Sequence, residues 1–141
     1  MQSIRGRRIA FDFGDARIGV AICDPDGILA TPLPFIKSGD PKRMKAIAAL
    51  LEEYQPITIY LGLPKHLSGI EGESVEKVRD FAQELRAICA LPIVEIDERL
   101  STVGAAKKLR EAGKDARSSR ELIDSMAACA ILEAGLASED R

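Results

Sequence analysis

Three carboxylates sit among apolar neighbours in widely separated segments: Asp12 in RIAFDFGDARIGVA, Glu98 in PIVEIDERLST and Asp124 in SSRELIDSMAACAIL. A carboxylate held against apolar surface loses on the order of several kcal/mol of hydration unless a cation or hydrogen bonds replace it. Taken singly, each acid reads as an ordinary cap, turn or salt-bridge residue. Taken together they predict one divalent-metal site, because hard oxygen donors are what Mg²⁺ or Mn²⁺ prefers.

The elements that must position these acids follow from the periodicities. Residues 7–13 alternate, with Ile9, Phe11 and Phe13 on one face and Ala10, Asp12 and Gly14 on the other. Residues 17–24 and 28–36, joined by the turn Asp24-Pro25-Asp26-Gly27, predict a hairpin, so three antiparallel strands open the fold. Asp40 reads as an N-cap with Pro41 at the first helical position, and Met44, Ile47, Ala48, Leu51 and Tyr54 recur at helical spacing up to Gln55-Pro56.

A strand at 57–63, a helix with the stripe Val75, Val78, Ala82, Leu85 and Cys89, and a strand at 92–97 then make a parallel βαβ unit. Helices at 102–112 and 119–136 close the chain, the second opened by a Ser118-x-x-Glu121 capping box, with GKDARSS between them expected to be mobile. The order βββαβαβαα predicts an α/β fold: one domain over residues 1–141, with a mixed five-stranded sheet and helices on both faces. Asp12 falls near the first strand's end, Glu98 just past the last strand in phase with Val94 and Ile96, and Asp124 in the final helix. Ala127, Ala128 and Ile131 share a face with Asp124 and would let that helix approach the sheet closely. Ligand sites of mixed α/β sheets form at such strand ends.

Length and composition suit that scheme. A chain of 141 residues with 46% hydrophobic content can bury one ordinary core. Cys23, Cys89 and Cys129 are scattered through apolar stretches, which fits buried thiols in a reducing compartment rather than disulfides or zinc. No apolar run approaches the length of a membrane span, so a soluble, cytoplasmic protein is expected. The net charge of -2 hides an asymmetry, because residues 99–120 carry +5 and the remainder -7. Such a cationic stretch is a solvated helix face or a grip on a phosphate backbone.

The motifs DFGxxRIGVA, GLP-KHLSGIEG, DERLST and ELIDSMAACAIL, in that order and spacing, resemble the YqgF-type (RuvX-like) family of pre-16S rRNA nucleases and Holliday-junction-resolvase-like proteins. The resemblance spans nearly the whole chain. It implies an RNase H-like fold similar to RuvC resolvase, in agreement with the element order. It also implies that Asp12, Glu98 and Asp124 are catalytic and bind two Mg²⁺ or Mn²⁺ ions, Asp12 bridging them, in hydrolysis of phosphodiesters to 5′-phosphate and 3′-hydroxyl products.

Two departures stand out. Asp15 occupies a position often Thr or Ser in such proteins and is expected to cap a turn rather than tune the metal. KHLSG replaces a form richer in Asn and Asp. The only histidine, His66, is expected in a loop, and no histidine base is required.

With no Trp and 4% aromatic residues, extended base stacking is disfavoured, and recognition by shape and phosphate contacts is expected. Arg17, Lys65, Arg99, Lys107, Lys108, Arg110, Lys114, Arg117 and Arg120 are the candidate nucleic-acid contacts. Gly62-Leu63-Pro64 with Gly69 to Gly72 reads as a glycine-bearing loop after the fourth strand.

The expected function is 5′ processing of pre-16S rRNA in ribosome biogenesis, with ribosomal particles as potential partners. Structure-selective cleavage of branched DNA is the alternative, and a non-catalytic nucleic-acid-binding module the reading of another class. The acid-plus-glycine start also resembles the phosphate loop of actin-like and sugar-kinase domains, but that architecture needs more than twice this length.

Overall fold

A computed structural model describes residues 5–64, 73–98 and 125–139. β1 (Arg8–Phe13), β2 (Arg17–Cys23) and β3 (Ala30–Lys37) form an antiparallel meander. The first connection is tight, with the Gly14 N–H donating to the Arg17 carbonyl at 3.0 Å. In the second, Gly27 adopts φ +69°, a conformation that costs glycine little. There the Asp24 carboxylate accepts the N–H groups of Leu29 at 2.7 Å and Ile28 at 2.8 Å. These bonds, that from Leu29 foremost, hold its carboxyl below the usual carboxylate range.

α1 (Arg43–Tyr54) begins two residues later than Asp40-Pro41 predicts. The Asp40 carboxylate accepts the Lys42 N–H and its carbonyl accepts the Arg43 N–H, so a turn closes first and the helix starts beyond it. It stops where Gln55 turns left-handed, at φ 50°. β4 (Thr58–Leu63), α2 (Glu73–Ile88) and β5 (Ile93–Asp97) are the expected βαβ unit, β4 lying parallel to both β1 and β5.

α3 (Met126–Glu139) is the last described element and runs three residues past the expected end. The helix expected at 102–112, the capping box Ser118-x-x-Glu121 and the loop GKDARSS lie outside the described residues.

The sheet order is β3-β2-β1-β4-β5, with β3 and β5 at the edges. Alternation along the strands builds two apolar layers. Ile9, Phe11, Ile18, Val20, Ile59 and Leu61 pack with Ile47 of α1 and Val75, Val78, Phe81 and Leu85 of α2. Phe11 and Phe81 meet edge to face at 5.9 Å.

On the opposite face, Ala10, Ala21, Tyr60 and Ile96 pack with α3. That layer is thin because its residues are small, as the run around Ala127 and Ala128 predicts. A Cβ on Gly135 would lie 2.6 Å from the Tyr60 ring, so α3 can sit this close to β4 only with glycine there. At the far end of the helix Glu139 takes an ion pair from the buried Arg8 guanidinium at 2.6 Å. Cys23, Cys89 and Cys129 are free thiols. No helix among the described residues is long and apolar enough to cross a membrane.

Candidate active site

Asp12 is the fifth residue of β1, half-buried, and faces α3 because Phe11 and Phe13 on either side turn toward α2. Its neighbours across the sheet have no side chains. It pairs with Gly19 on β2. On β4, the register Phe11↔Leu61 brings Gly62 beside it one step further on. The carboxylate therefore stands on a bare strip of backbone in an otherwise filled layer.

Glu98 follows β5 directly and shares the face of Ile96, as its phase predicts. β4 separates β5 from β1, and Glu98 reaches over it: its Oε1 lies 3.4 Å from the point a Cβ on Gly62 would occupy. Ile131 of α3 closes the other side of that point. Asp12 and Glu98 thus share one face with only glycine on the strand between them. Two carboxylates on one face are the hard oxygen donors that a small hard cation prefers.

Asp124 lies outside the described residues, so the full three-acid set does too, and no cluster of three or more metal-ligating side chains occurs among the described ones. Its chain neighbour Ser125 is described and fully buried. The β2–β3 register slips between Ile18 and Val20, and the Ser125 hydroxyl fills the gap, accepting the Val20 N–H at 3.0 Å and donating to the Leu33 carbonyl at 2.5 Å. The start of α3 is thereby tied to the strand that carries Gly19.

Asp15 points elsewhere. Its carboxylate pairs with Lys77 of α2 at 2.9 Å, both groups well exposed, on the side away from Asp12. An exposed pair of this kind contributes about 0–1 kcal/mol. The thiols of the α3 layer favour the protonated form: burial raises Cys23 despite the Arg8 N–H donated to its sulfur, and pushes Cys129 up to about 11.

Of the candidate nucleic-acid contacts, Arg17 is described. It opens β2, is exposed, and lays its guanidinium 5.2 Å from the centroid of the Phe35 ring. Lys65, His66, Arg99, Lys107, Lys108, Arg110, Lys114, Arg117 and Arg120 lie outside the described residues. Gly62 and Leu63, read both as the end of the strand at 57–63 and as the start of the glycine-bearing loop after it, are buried residues of β4. The roles of Gly19, Gly62 and Ser125 are not apparent in the motifs, although glycine inside a strand is itself a signal of close approach.

The chain matches the RuvX family, described as Holliday junction resolvase, over residues 6–138. It is 51% identical over 137 residues to a Streptomyces avermitilis protein named as a pre-16S rRNA nuclease, covering 96% of this chain and 88% of that one. A Streptomyces coelicolor protein of the same name is 48% identical over 137 residues, covering 96% of this chain and 82% of the relative.

Among solved structures, Thermus thermophilus RuvC in complex with a Holliday junction substrate is similar at a TM-score of 0.59 and 15% identity, covering 96% of both chains. The fold is therefore the RNase H-like one of the resolvases. By its sequence match across nearly its whole length, this chain belongs to the RuvX family.

Proposed function

We propose that this nuclease trims the 5′ end of pre-16S rRNA, using divalent metal held by Asp12, Glu98 and Asp124. The observation that carries the reading is the placement of Asp12 and Glu98 on one face of the sheet with Gly62 between them. The name shared by the curated relatives supports the rRNA substrate. When bound, Mg²⁺ or Mn²⁺ supplies charge neutralisation at the phosphate and acidity for the attacking water.

The chain's own residues do the rest. Asp12 and Glu98 offer oxygen donors from opposite sides of β4, and Ile131 of α3 packs over the glycine between them. Asp124, one residue before the anchored Ser125, supplies the third donor. The setting is the cytoplasm, where precursor rRNA is processed.

A second reading, cleavage of branched DNA, is favoured by the likeness to RuvC over 96% of both chains. Cleavage of a labelled pre-16S leader and of a four-way DNA junction, by the wild type and Asp12→Asn, with Mg²⁺, Mn²⁺ or EDTA, separates the two. Metal-dependent cutting of the RNA alone, lost in Asp12→Asn, is the expected result. Symmetric cutting of the junction alone would make the protein a resolvase. Binding of both with cutting of neither would point to a non-catalytic module or to a need for a ribosomal partner.

A further inference from the structure

Asp12 stands one residue from a chain reversal. Phe13 ends β1, and the segment Gly14 to Ala16 leads directly into β2. Gly19 and Gly62, beside Asp12 on the neighbouring strands, offer it no side chain. A metal-binding carboxylate must nevertheless be held to within about 0.5 Å. The position of this strand end therefore depends on what grips the turn and the opposite face of the sheet.

Ser38, the first residue past β3, is buried and grips the turn at both ends. Its hydroxyl donates to the Gly14 carbonyl at 2.6 Å, and its N–H donates to the Ala16 carbonyl at 3.0 Å. Arg43, which opens α1, holds Ser38 in turn. Its Nη1 donates to the Ser38 carbonyl at 2.6 Å, and its Nη2 pairs with Glu84 of α2. The same guanidinium lies 5.6 Å from the centroid of the Phe13 ring, and that ring lies 4.8 Å from the ring of Phe81. One planar group thus ties the residue after Asp12 to the end of β3 and to α2, a set of contacts that the point charge of a lysine does not reproduce.

Resting on the nuclease reading above, we propose that Ser38 and Arg43 are positioning residues for Asp12. They fix the end of β1 through Gly14 and Phe13, and so set where the oxygens of Asp12 stand relative to Glu98. Both act through backbone and ring contacts on the residues that follow the acid. Neither lies in any of the four sequence motifs.

The test separates metal binding from nucleic-acid binding. Mn²⁺ is titrated calorimetrically into the protein alone, binding of labelled pre-16S leader RNA and of a four-way DNA junction is measured in EDTA, and kcat and KM are measured with Mn²⁺, all well below the melting temperature. The proteins are the wild type, Ser38→Ala, Arg43→Lys, and Ile47→Val, which trims a fully buried side chain of α1 and controls for general loosening. Ser38→Ala and Arg43→Lys are each expected to raise the Mn²⁺ Kd and lower kcat by about tenfold, with nucleic-acid affinity unchanged. Ile47→Val should melt lower but keep the wild-type Mn²⁺ Kd and kcat.

A wild-type Mn²⁺ Kd and kcat in both Ser38→Ala and Arg43→Lys, with only the melting temperature lowered, would overturn the positioning role while leaving the nuclease reading intact. An equal loss in Ile47→Val would overturn it too, by tracing the effect to loosened packing. A wild type that neither bound Mn²⁺ nor cut either nucleic acid would overturn both readings.

Discussion

Ser125 and Val20, separated by 105 positions in the chain, share a buried hydrogen bond of 3.0 Å from the Val20 N–H to the serine hydroxyl. The same hydroxyl donates to the Leu33 carbonyl, so one side chain replaces a rung of the β2–β3 ladder. Ser125→Ala would leave a buried donor and a buried acceptor unpaired. The expected loss of unfolding free energy is about 1–3 kcal/mol, with faster hydrogen exchange at the Val20 amide. Unchanged protection of that amide would show that the bulge closes without the hydroxyl.

The ion pair at the other end of α3 calls for a different comparison. Arg8 is buried and bonds Glu139 through two nitrogens, at 2.6 and 3.2 Å. Removing one partner of such a pair costs about 3–5 kcal/mol, whereas replacing both with apolar groups is often neutral. Arg8→Met alone should therefore shift the urea midpoint further down than Arg8→Met combined with Glu139→Leu. If the double variant is the weaker of the two, the pair is not the source of the cost.

Gly62 offers a test of the site's geometry. A methyl group there collides with the Ile131 side chain and lies in van der Waals contact with the Glu98 carboxylate, 3.4 Å away, so Gly62→Ala should destabilise by about 1–3 kcal/mol and, by placing an apolar group against that acid, reduce metal-dependent cleavage at least tenfold. Adding Ile131→Val makes room in the apolar layer and should restore melting temperature without restoring cleavage. Recovery of both would place the defect in packing and not at Glu98.

Alkaline pH should weaken the fold through Cys129. Burial, assisted by the Glu133 carboxylate, pushes its thiol from the ordinary 9.0 up to about 11. The folded state then keeps a proton that the unfolded chain gives up. Stability from this source is fully present below about pH 9 and is lost as pH rises toward about 11, by up to about 2 kcal/mol. Denaturation of wild type and Cys129→Ala across that window should show the wild type falling more steeply, and parallel curves would refute the assignment.

Much of this architecture is legible in the chain because it is written in local periods. The alternation around Phe11, Asp12 and Phe13 fixes which way the acid faces, and the helical stripe from Val75 to Leu85 fixes the face α2 buries. The phase of Glu98 with Ile96 likewise places the second acid. What escapes is made by pairing across long separations. Nothing near Gly62 announces that Glu98 will lie over it, and nothing in SMAACAIL announces that Ser125 will enter a ladder between β2 and β3. The onset of α1 differs for a local reason, since Asp40 can cap a turn as readily as a helix.

The edge strand β3 contains Pro32 and Pro34 among its eight residues. Neither has an N–H to offer, and proline on an outer strand interrupts the regular row of donors that a docking strand would need. The sheet is consequently capped on that side, and a second chain cannot simply extend it there. The long apolar strands behind that edge are shielded from templating fibrous self-assembly, which a nucleic-acid enzyme working in a crowded cell must avoid.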